Sequence, residues 1–203
     1  SITYAGLSNT YTYTNIVRLE DEADKLFLFW RGADFKPNFS TSEDHGRTWN
    51  TGEIMVLPER IYRDRRPYLK VHSDNKAVIH FAFTDGHPHV EPTNSIYYMK
   101  YRDGGLYKAN GERIASLSDA PVDPATADLA YDARMTGEKA WIWDVAETSD
   151  GHPVVVYARF PTDTLHVYYY NIFDGIKWNE YRLTDAGGWF PENRPGIRQR
   201  EPN

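Results

Sequence analysis

The sequence predicts an all-β fold in which one unit of four antiparallel strands occurs three times. Each unit contains a succession of strand-like segments, and its first and second segments are offset by the same eleven residues. The residue pairs at this offset are Ile16 and Phe27, Tyr68 and Ile79, and Trp143 and Val154. A turn of Asp, Gly and an aromatic residue then separates the third segment from the fourth in every unit. This periodicity indicates a repeat architecture.

The predicted strands are short and rich in aromatic and β-branched residues. In the first unit they are Tyr13–Leu19, Lys25–Trp30, Asn38–Ser42 and Glu53–Leu57. In the second unit they are Pro67–His72, Ala77–Phe83, Ser95–Tyr101 and Arg113–Leu117. In the third unit they are Ala140–Ala146, Pro153–Phe160, Leu165–Phe173 and Tyr181–Thr184. Units of four short strands with a recurring Gly/aromatic turn are typical of β-propeller blades.

The best-defined turn has the pattern Ser-x-Asp-x-Gly-x-Thr-Trp and spans residues 42–49. Asp44 is suited to accept hydrogen bonds from amides of its own turn, and Gly46 is suited to a positive φ. Ser42 and Thr48 fit the flanking strand ends, and we expect Trp49 to enter a core beside the turn. Weaker copies begin at Asp103 and Asp174. We therefore predict a structural role for this turn, with His45 exposed.

The chain is expected to be one domain, residues 1–203, and part of a larger propeller, because known rings mostly have four to eight blades. The expected parts are blades at about 13–58, 66–117 and 140–185, an insertion at 118–138 and a linker-like tail at 191–203. Residues 1–12 form either an edge strand or a strand of the closing blade. The insertion is either a lid or binding loop or an ordinary surface loop. An open arc exposes inter-blade faces, which favours the missing blades or another copy of the chain as partners.

Composition excludes several classes of function. A net charge of −6 and a pI near 5.6 do not favour nucleic-acid binding. No apolar run has the roughly 20 residues that span a bilayer, and the absence of cysteine excludes disulfides and thiol chemistry. The 15% aromatic content favours strands and sugar-like ligands. The chain begins at Ser1, without Met, which is consistent with a processed or truncated product.

Strand direction predicts which end of the sheets carries a site. In each blade the Asp-containing turn joins the third strand to the fourth, so the loops between the second and third strands lie at the opposite end. Arg31, His87 and Arg159 all fall at the starts of those loops, and Tyr157 lies just before Arg159. Cations, a loop histidine and a tyrosine at one end suggest a site for an acidic glycan.

The crossing between the first two blades, residues 59–67, contains four arginines and opens at the same end. It is either a solvated loop or a cationic rim that binds an anionic ligand. His80 is expected to be a packed or hydrogen-bonded strand residue. His87 and His89 are too few for a zinc site by themselves, and we predict no metal and no cofactor.

The sequence resembles the BNR-4 branch of the BNR/Asp-box propellers, whose characterised members include propeller-type polysaccharide lyases that act on ulvan. The resemblance covers nearly the whole chain. It is carried by the turn at 42–49 and by Phe29–Gly32, Arg66–Lys70, Phe83–Pro88, Pro92–Tyr98, Trp141–Glu147 and Val154–Phe160. It implies a larger propeller of about seven blades and a secreted or periplasmic protein.

The resemblance also implies a reaction and a set of residues. A base removes the proton α to a uronate carboxylate, an acid protonates the departing oxygen, and an arginine neutralises the carboxylate. We expect His87 and Tyr157 in the acid–base roles and Arg31 or Arg159 on the substrate. The other expected substrate contacts are Asn38, Arg66, His89, Asn94 and His166.

One position departs from the pattern of the family. Ile172 stands where these relatives tend to have an arginine. Neutralisation of the carboxylate then requires another cation, for which Arg159 is the candidate, or the site binds glycan without cleaving it. Three functions are therefore open: a lyase on a uronate-containing and possibly sulfated polysaccharide, a non-catalytic glycan-binding module, and a sialidase-like hydrolase. The last needs an arginine triad that is not evident in the sequence.

Overall fold

The computed structural model describes residues 12–59, 62, 64–88, 90–162 and 164–187. Within these ranges the chain forms three antiparallel β-sheets and one short α-helix, which confirms the all-β prediction. The described sheets do not close a ring. None of the described helical segments is both long and apolar enough to cross a membrane. The predicted tail and nearly all of the predicted edge segment lie outside the described residues.

The first sheet follows the predicted order of strands. It contains β1 (Thr12–Leu19), β2 (Lys25–Arg31), β3 (Pro37–Ser42) and β4 (Glu53–Ile54), which are neighbours in chain order. Alternation along β2 buries Phe27 and Phe29 fully, whereas Leu26 and Leu28 on the other face are half-buried. The face of this sheet that carries Phe27 and Phe29 therefore contributes to a hydrophobic core.

The second sheet has a more elaborate edge than the sequence predicts. It contains β5 (Leu69–Ser73), β6 (Val78–Thr84), β7 (Ile96–Arg102), β8 (Gly105–Tyr107), β9 (Arg113–Ser116) and β10 (Asp128–Tyr131). The three-residue β8 covers the C-terminal part of β7, and β10 pairs with the N-terminal part of β7. β9, near the predicted fourth strand, pairs with β8 instead. Two short strands thus share one edge because main-chain groups in a sheet require partners.

Residues 118–138, predicted as an insertion, contribute β10 and α1 (Ala133–Thr136). Val122 pairs with Val56 in a parallel bridge and accepts a 3.0 Å hydrogen bond from Leu57 N. The amide of Ala133 donates to Ser95 Oγ at 3.1 Å. The segment is therefore attached to both the first and the second sheet.

The third sheet contains β11 (Lys139–Glu147), β12 (Pro153–Thr162), β13 (Leu165–Phe173) and β14 (Trp178–Gly187), again in chain order. Two hydrophobic cores lie between the sheets, one between the first and second sheets and one between the second and third. The first places Phe29 against Phe81, with ring centroids 5.1 Å apart, and Phe27 against Tyr101 at 5.0 Å. The second contains Tyr98, Ile142, Val155 and Tyr157. Adjacent sheets therefore pack face to face, as propeller blades do.

The turn at 42–49 has the predicted hydrogen bonds. Asp44 accepts from Thr48 N at 2.8 Å and from Thr48 Oγ1 at 2.6 Å, and Ser42 Oγ accepts from Gly46 N at 2.9 Å. The bonds from Thr48 lower the pKa of Asp44 to about 2. Gly46 has a φ of +82°. Trp49 is half-buried and donates to Gly46 O at 3.1 Å, so its ring packs on the turn and not in a core.

Candidate functional site

A cavity of about 330 Å³ lies where the first strands of the three sheets approach one another. Its walls come from β1, from the start of β5, from β11 and from one face of the third sheet. Six Phe, Tyr and Trp residues and one cation define its character: Tyr13, Tyr68, Lys70, Trp141, Trp143, Phe160 and Tyr168. A concave, largely aromatic surface with a few polar groups is typical of a ligand site.

Tyr68 joins two of the predicted site residues at this cavity. Its hydroxyl accepts a 3.0 Å hydrogen bond from Arg31 Nη1, and the guanidinium lies 5.2 Å from the centre of its ring. The ring of His87 also packs on Tyr68, with centroids 5.4 Å apart, and the ring of Trp141 lies 5.2 Å from that of Tyr68 and 5.5 Å from that of His87. The structure therefore brings Arg31 and His87 together through a residue to which the sequence assigned no role.

Arg31 is held in place by several contacts. Its Nε donates to Thr12 Oγ1 at 3.1 Å, and its guanidinium packs over the rings of Tyr13 and Phe35 at 4.9 and 5.4 Å. Cation–π contacts of this kind stabilise an arginine and orient it. Arg31 is consequently oriented toward Tyr68 by its own neighbours.

The loop that carries His87 is fixed by Arg65, whose side chain is largely buried. Arg65 donates to Asp85 Oδ2 at 2.8 Å and forms a 3.1 Å ion pair with Glu91, while Glu91 N donates to His87 O at 2.9 Å. Burial raises the pKa of both carboxyls, and Arg65 opposes the rise. A Cβ on Gly86 would lie 2.4 Å from Glu91 Cγ, so glycine allows this close approach.

The four arginines of the crossing at 59–67 differ in what the structure shows of them. Arg60 and Arg63 lie outside the described residues, and Arg65 is a structural ion-pair partner with a side chain 13% exposed. Arg66 is exposed and packs over the ring of Phe35 at 4.3 Å. Of the arginines described in this crossing, Arg66 is therefore the one that remains accessible to an anionic ligand.

Tyr157 and Arg159 belong to a second cluster. Tyr157 is fully buried, and its hydroxyl donates to Asn171 at 2.9 Å and to Glu180. Burial and the Glu180 carboxylate raise the pKa of Tyr157 well above its ordinary value. Arg159 pairs with Glu138 at 2.6 Å and Glu180 at 2.7 Å. Both side chains are thus committed to protein partners.

Strand alternation explains why the predicted residues form two groups. Ala158 and Phe160 of β12 line the cavity, and the intervening Arg159 and its neighbour Tyr157 point to the opposite face. That face packs against the second sheet, where Tyr131 contacts Tyr157 at 5.1 Å. The loops share one end of the sheets, as predicted, but their side chains do not share one face.

The other predicted substrate contacts differ in their distance from the cavity. Asn38 and Asn94 are fully buried and donate to Lys36 O at 2.8 Å and to Ala140 O at 2.6 Å. His166 lies in the cavity wall and packs edge-on against Phe160, with centroids 4.3 Å apart. His89 lies outside the described residues. His166 is therefore near the candidate site, whereas both asparagines hold loops, and the roles in substrate binding stay predictions.

Tyr68 and Lys70 are the residues that sequence reasoning missed. They are two positions apart at the start of β5, so alternation places them on one side of the strand. The Arg66–Lys70 motif contained this signal. Lys70 is exposed at the cavity and supplies a positive charge there, whereas Ile172 in β13 supplies none. Among the described residues, no group of three histidine, aspartate or glutamate side chains is arranged to hold a metal.

A family model described as "BNR repeat-containing family member" matches residues 2–186. The chain belongs to this family. The resemblance found in the sequence is therefore confirmed. No curated protein matches the sequence.

Solved structures confirm the fold expected for this BNR repeat chain. A PL25 ulvan lyase is similar with a TM-score of 0.65 at 16% identity, over 84% of this chain and 43% of the lyase. The same kind of lyase bound to -[GlcA(1-4)Rha3S]- gives 0.66 at 16%, over 90% and 44%. Trypanosoma rangeli sialidase in complex with the inhibitor DANA gives 0.56 at 13%, over 88% and 32%. The chain thus spans less than half the length of each of these proteins.

Proposed function

We propose that this protein is a carbohydrate-active propeller that binds an acidic, uronate-containing polysaccharide in the aromatic cavity and cleaves it by β-elimination. The observation that carries the proposal is a cavity lined by aromatic rings and the cation Lys70, with Arg31 and His87 adjoining it through their contacts with the cavity residue Tyr68. Aromatic side chains bury the apolar faces of sugar rings. The cations suit carboxylate and sulfate groups.

The chemistry requires a base close to a carbon acid. In β-elimination the base takes the proton α to the uronate carboxylate, a carbon–carbon double bond forms, and the bond to the departing glycosidic oxygen breaks. His87 is the candidate base, because imidazole exchanges protons near neutral pH. We assign to Lys70 the stabilisation of charge on the carboxylate, the role that the family resemblance implied for an arginine.

The comparison with ulvan lyase supports this class of substrate. The lyase structure that resembles this chain is bound to -[GlcA(1-4)Rha3S]-, a unit that joins a uronate to a sulfated deoxysugar. Both groups are anions, and in the present chain Lys70 lines the cavity and Arg31 bonds to its wall residue Tyr68.

A second candidate is glycan binding without cleavage. The observation that favours it is the enclosure of Tyr157, whose hydroxyl bonds to Asn171 and Glu180, together with the ion pairs of Arg159. The polar atoms of both side chains are then engaged by protein partners, and Ile172 adds no charge.

Incubation with ulvan and other uronate polymers tests both candidates. We expect ultraviolet absorbance of unsaturated uronate to increase with the wild-type protein, and His87→Gln to lower the rate by about 100-fold or more. His45→Gln is the matched control, because His45 is an exposed residue of the turn at the other end of the first sheet. Calorimetric binding without any new absorbance would replace the lyase proposal with the binding module. Absence of both would refute the two together.

A further inference from the structure

Elimination needs a second group besides the base, because the departing oxygen must receive a proton. This inference rests on the proposed lyase function. Tyr157, which the family resemblance implies for an acid–base role, has a fully buried side chain on the face of β12 opposite the cavity. The donor has to be sought among groups that reach the cavity itself.

We propose that Tyr68 is the catalytic residue that protonates the departing glycosidic oxygen. Tyr68 lines the cavity, and its phenol group carries a proton at neutral pH in its ordinary state. Its ring lies 5.4 Å from that of His87, centroid to centroid. In the sugar, the α carbon is bonded to the carbon that bears the departing oxygen. The group that accepts the α proton, His87, and the group that donates a proton to the oxygen, Tyr68, must therefore lie close to each other, as they do here.

Arg31 adjusts the chemistry of this hydroxyl. Because the Nη1 donor occupies an acceptor site of the phenol oxygen at 3.0 Å, the proton of Tyr68 is directed away from Arg31. The guanidinium charge also stabilises the phenolate that remains after proton transfer. Arg31 is thus a positioning residue, and Lys70 is left to meet the substrate carboxylate.

The proton balance closes without a cofactor. His87 gains the α proton, the electrons of that bond form the double bond, and the departing oxygen takes the proton of Tyr68. Transfer from the imidazolium to the phenolate, directly or through solvent, restores both groups. One polymer yields two chains, one of which ends in an unsaturated uronate.

Tyr68→Phe tests the assignment, because it removes the hydroxyl and keeps the ring that contacts His87 and Trp141. We expect the turnover number on ulvan to fall by about 100-fold or more, with the dissociation constant within about twofold and the unfolding temperature unchanged. Tyr170→Phe is the matched control. Tyr170 stacks on Tyr181 at 5.0 Å in the third sheet and is not part of the cavity wall.

Tyr157→Phe distinguishes the two tyrosines. If Tyr157→Phe abolishes turnover and Tyr68→Phe does not, Tyr68 is not the donor and the inference is overturned. Wild-type protein that binds ulvan without cleaving it overturns both the lyase function and the role of Tyr68. Cleavage by wild-type and Tyr68→Phe proteins at equal rates overturns the inference alone.

Discussion

Buried ionisable side chains fix the loops and interfaces of this protein one contact at a time. Arg65 neutralises Asp85 and Glu91 and so holds the loop of His87 against the cavity. Removal of one partner from such a buried pair typically costs about 3–5 kcal/mol. The loop that carries the candidate base is thus supported by side chains that do not touch the substrate site.

His80 shows the same principle between the second and third sheets. The side chain is 2% exposed, its Nδ1 lies 2.7 Å from Tyr98 OH, and its Nε2 lies 3.2 Å from Glu147 Oε2. Burial, followed by repulsion from His72, lowers the pKa of His80 to about 4. Burial therefore outweighs the nearby carboxylate. The other charged groups that act on it are Lys100 and Asp74.

We predict a loss of stability in mild acid that depends on His80. Between pH 4 and pH 6.5 the unfolded chain binds the proton that folded His80 excludes, so the free energy of unfolding decreases as the pH falls through this range. A pKa shift of this size corresponds to a decrease of roughly 3 kcal/mol in the free energy of unfolding. Urea unfolding across this range should show it in the wild-type protein and not in His80→Gln. The control His45→Gln should keep the pH dependence of the wild-type protein. If His80→Gln also keeps it, the assignment to His80 is contradicted.

At the scale of elements, alternation along each strand decides what a residue contacts. In β12, Tyr157 packs toward the second sheet and Ala158 lies in the cavity wall. In β11, the register with β12 shifts between Ile142 and Asp144, which is a bulge at Trp143. Trp143 is 39% exposed and joins the cavity wall through this irregularity.

The contact between the first and second sheets gives a test of the packing. Phe81 in β6 is fully buried and packs edge-on against Phe29. We expect Phe81→Ala to lower the free energy of unfolding by about 3–5 kcal/mol, because it leaves a cavity in the core. Urea unfolding measures the change. Ile176→Ala, at a position 88% exposed, should have almost no effect, and equal effects of the two substitutions would contradict the described core.

At the scale of the whole molecule, the described chain consists of three blade-like sheets that do not close a ring. It spans less than half the length of the ulvan lyase chains that it matches. The net charge is −6, and yet Lys70 lies in the cavity wall and Arg31, at the end of β2, bonds to the wall residue Tyr68. The proposed attraction of an anionic polymer would therefore depend on local cations and act against the overall charge.

Local positive charge on a protein of negative net charge predicts a binding affinity for ulvan that depends on salt concentration. An increase in ionic strength from about 0.05 M to about 0.5 M screens exposed charges, and we expect the affinity for ulvan to fall roughly tenfold. Lys70→Gln should bind more weakly at low salt and show a smaller decrease. Titration calorimetry at several salt concentrations measures both effects. Lys76→Gln, exposed in the turn at the other end of the second sheet, is the control, and an equal loss there would contradict a local role for Lys70.

Sequence patterns were sufficient for the properties that depend on neighbours along the chain. Strand propensity and two-residue alternation predicted the succession of strands, and turn chemistry predicted the hydrogen bonds of Asp44 and the positive φ of Gly46. Strand direction alone placed Arg31 and His87 at one end. These features follow from local geometry, which a single sequence encodes directly.

Tertiary structure alone decided which of those side chains meet. The cavity depends on how β1, β5 and β11 approach one another, and this brought Tyr68 into contact with both Arg31 and His87. It also turned Tyr157 toward the second sheet, where β10 and Glu180 enclose it. Such contacts join residues that are distant along the chain. Their partners are set by the packing of whole sheets, which no local pattern specifies.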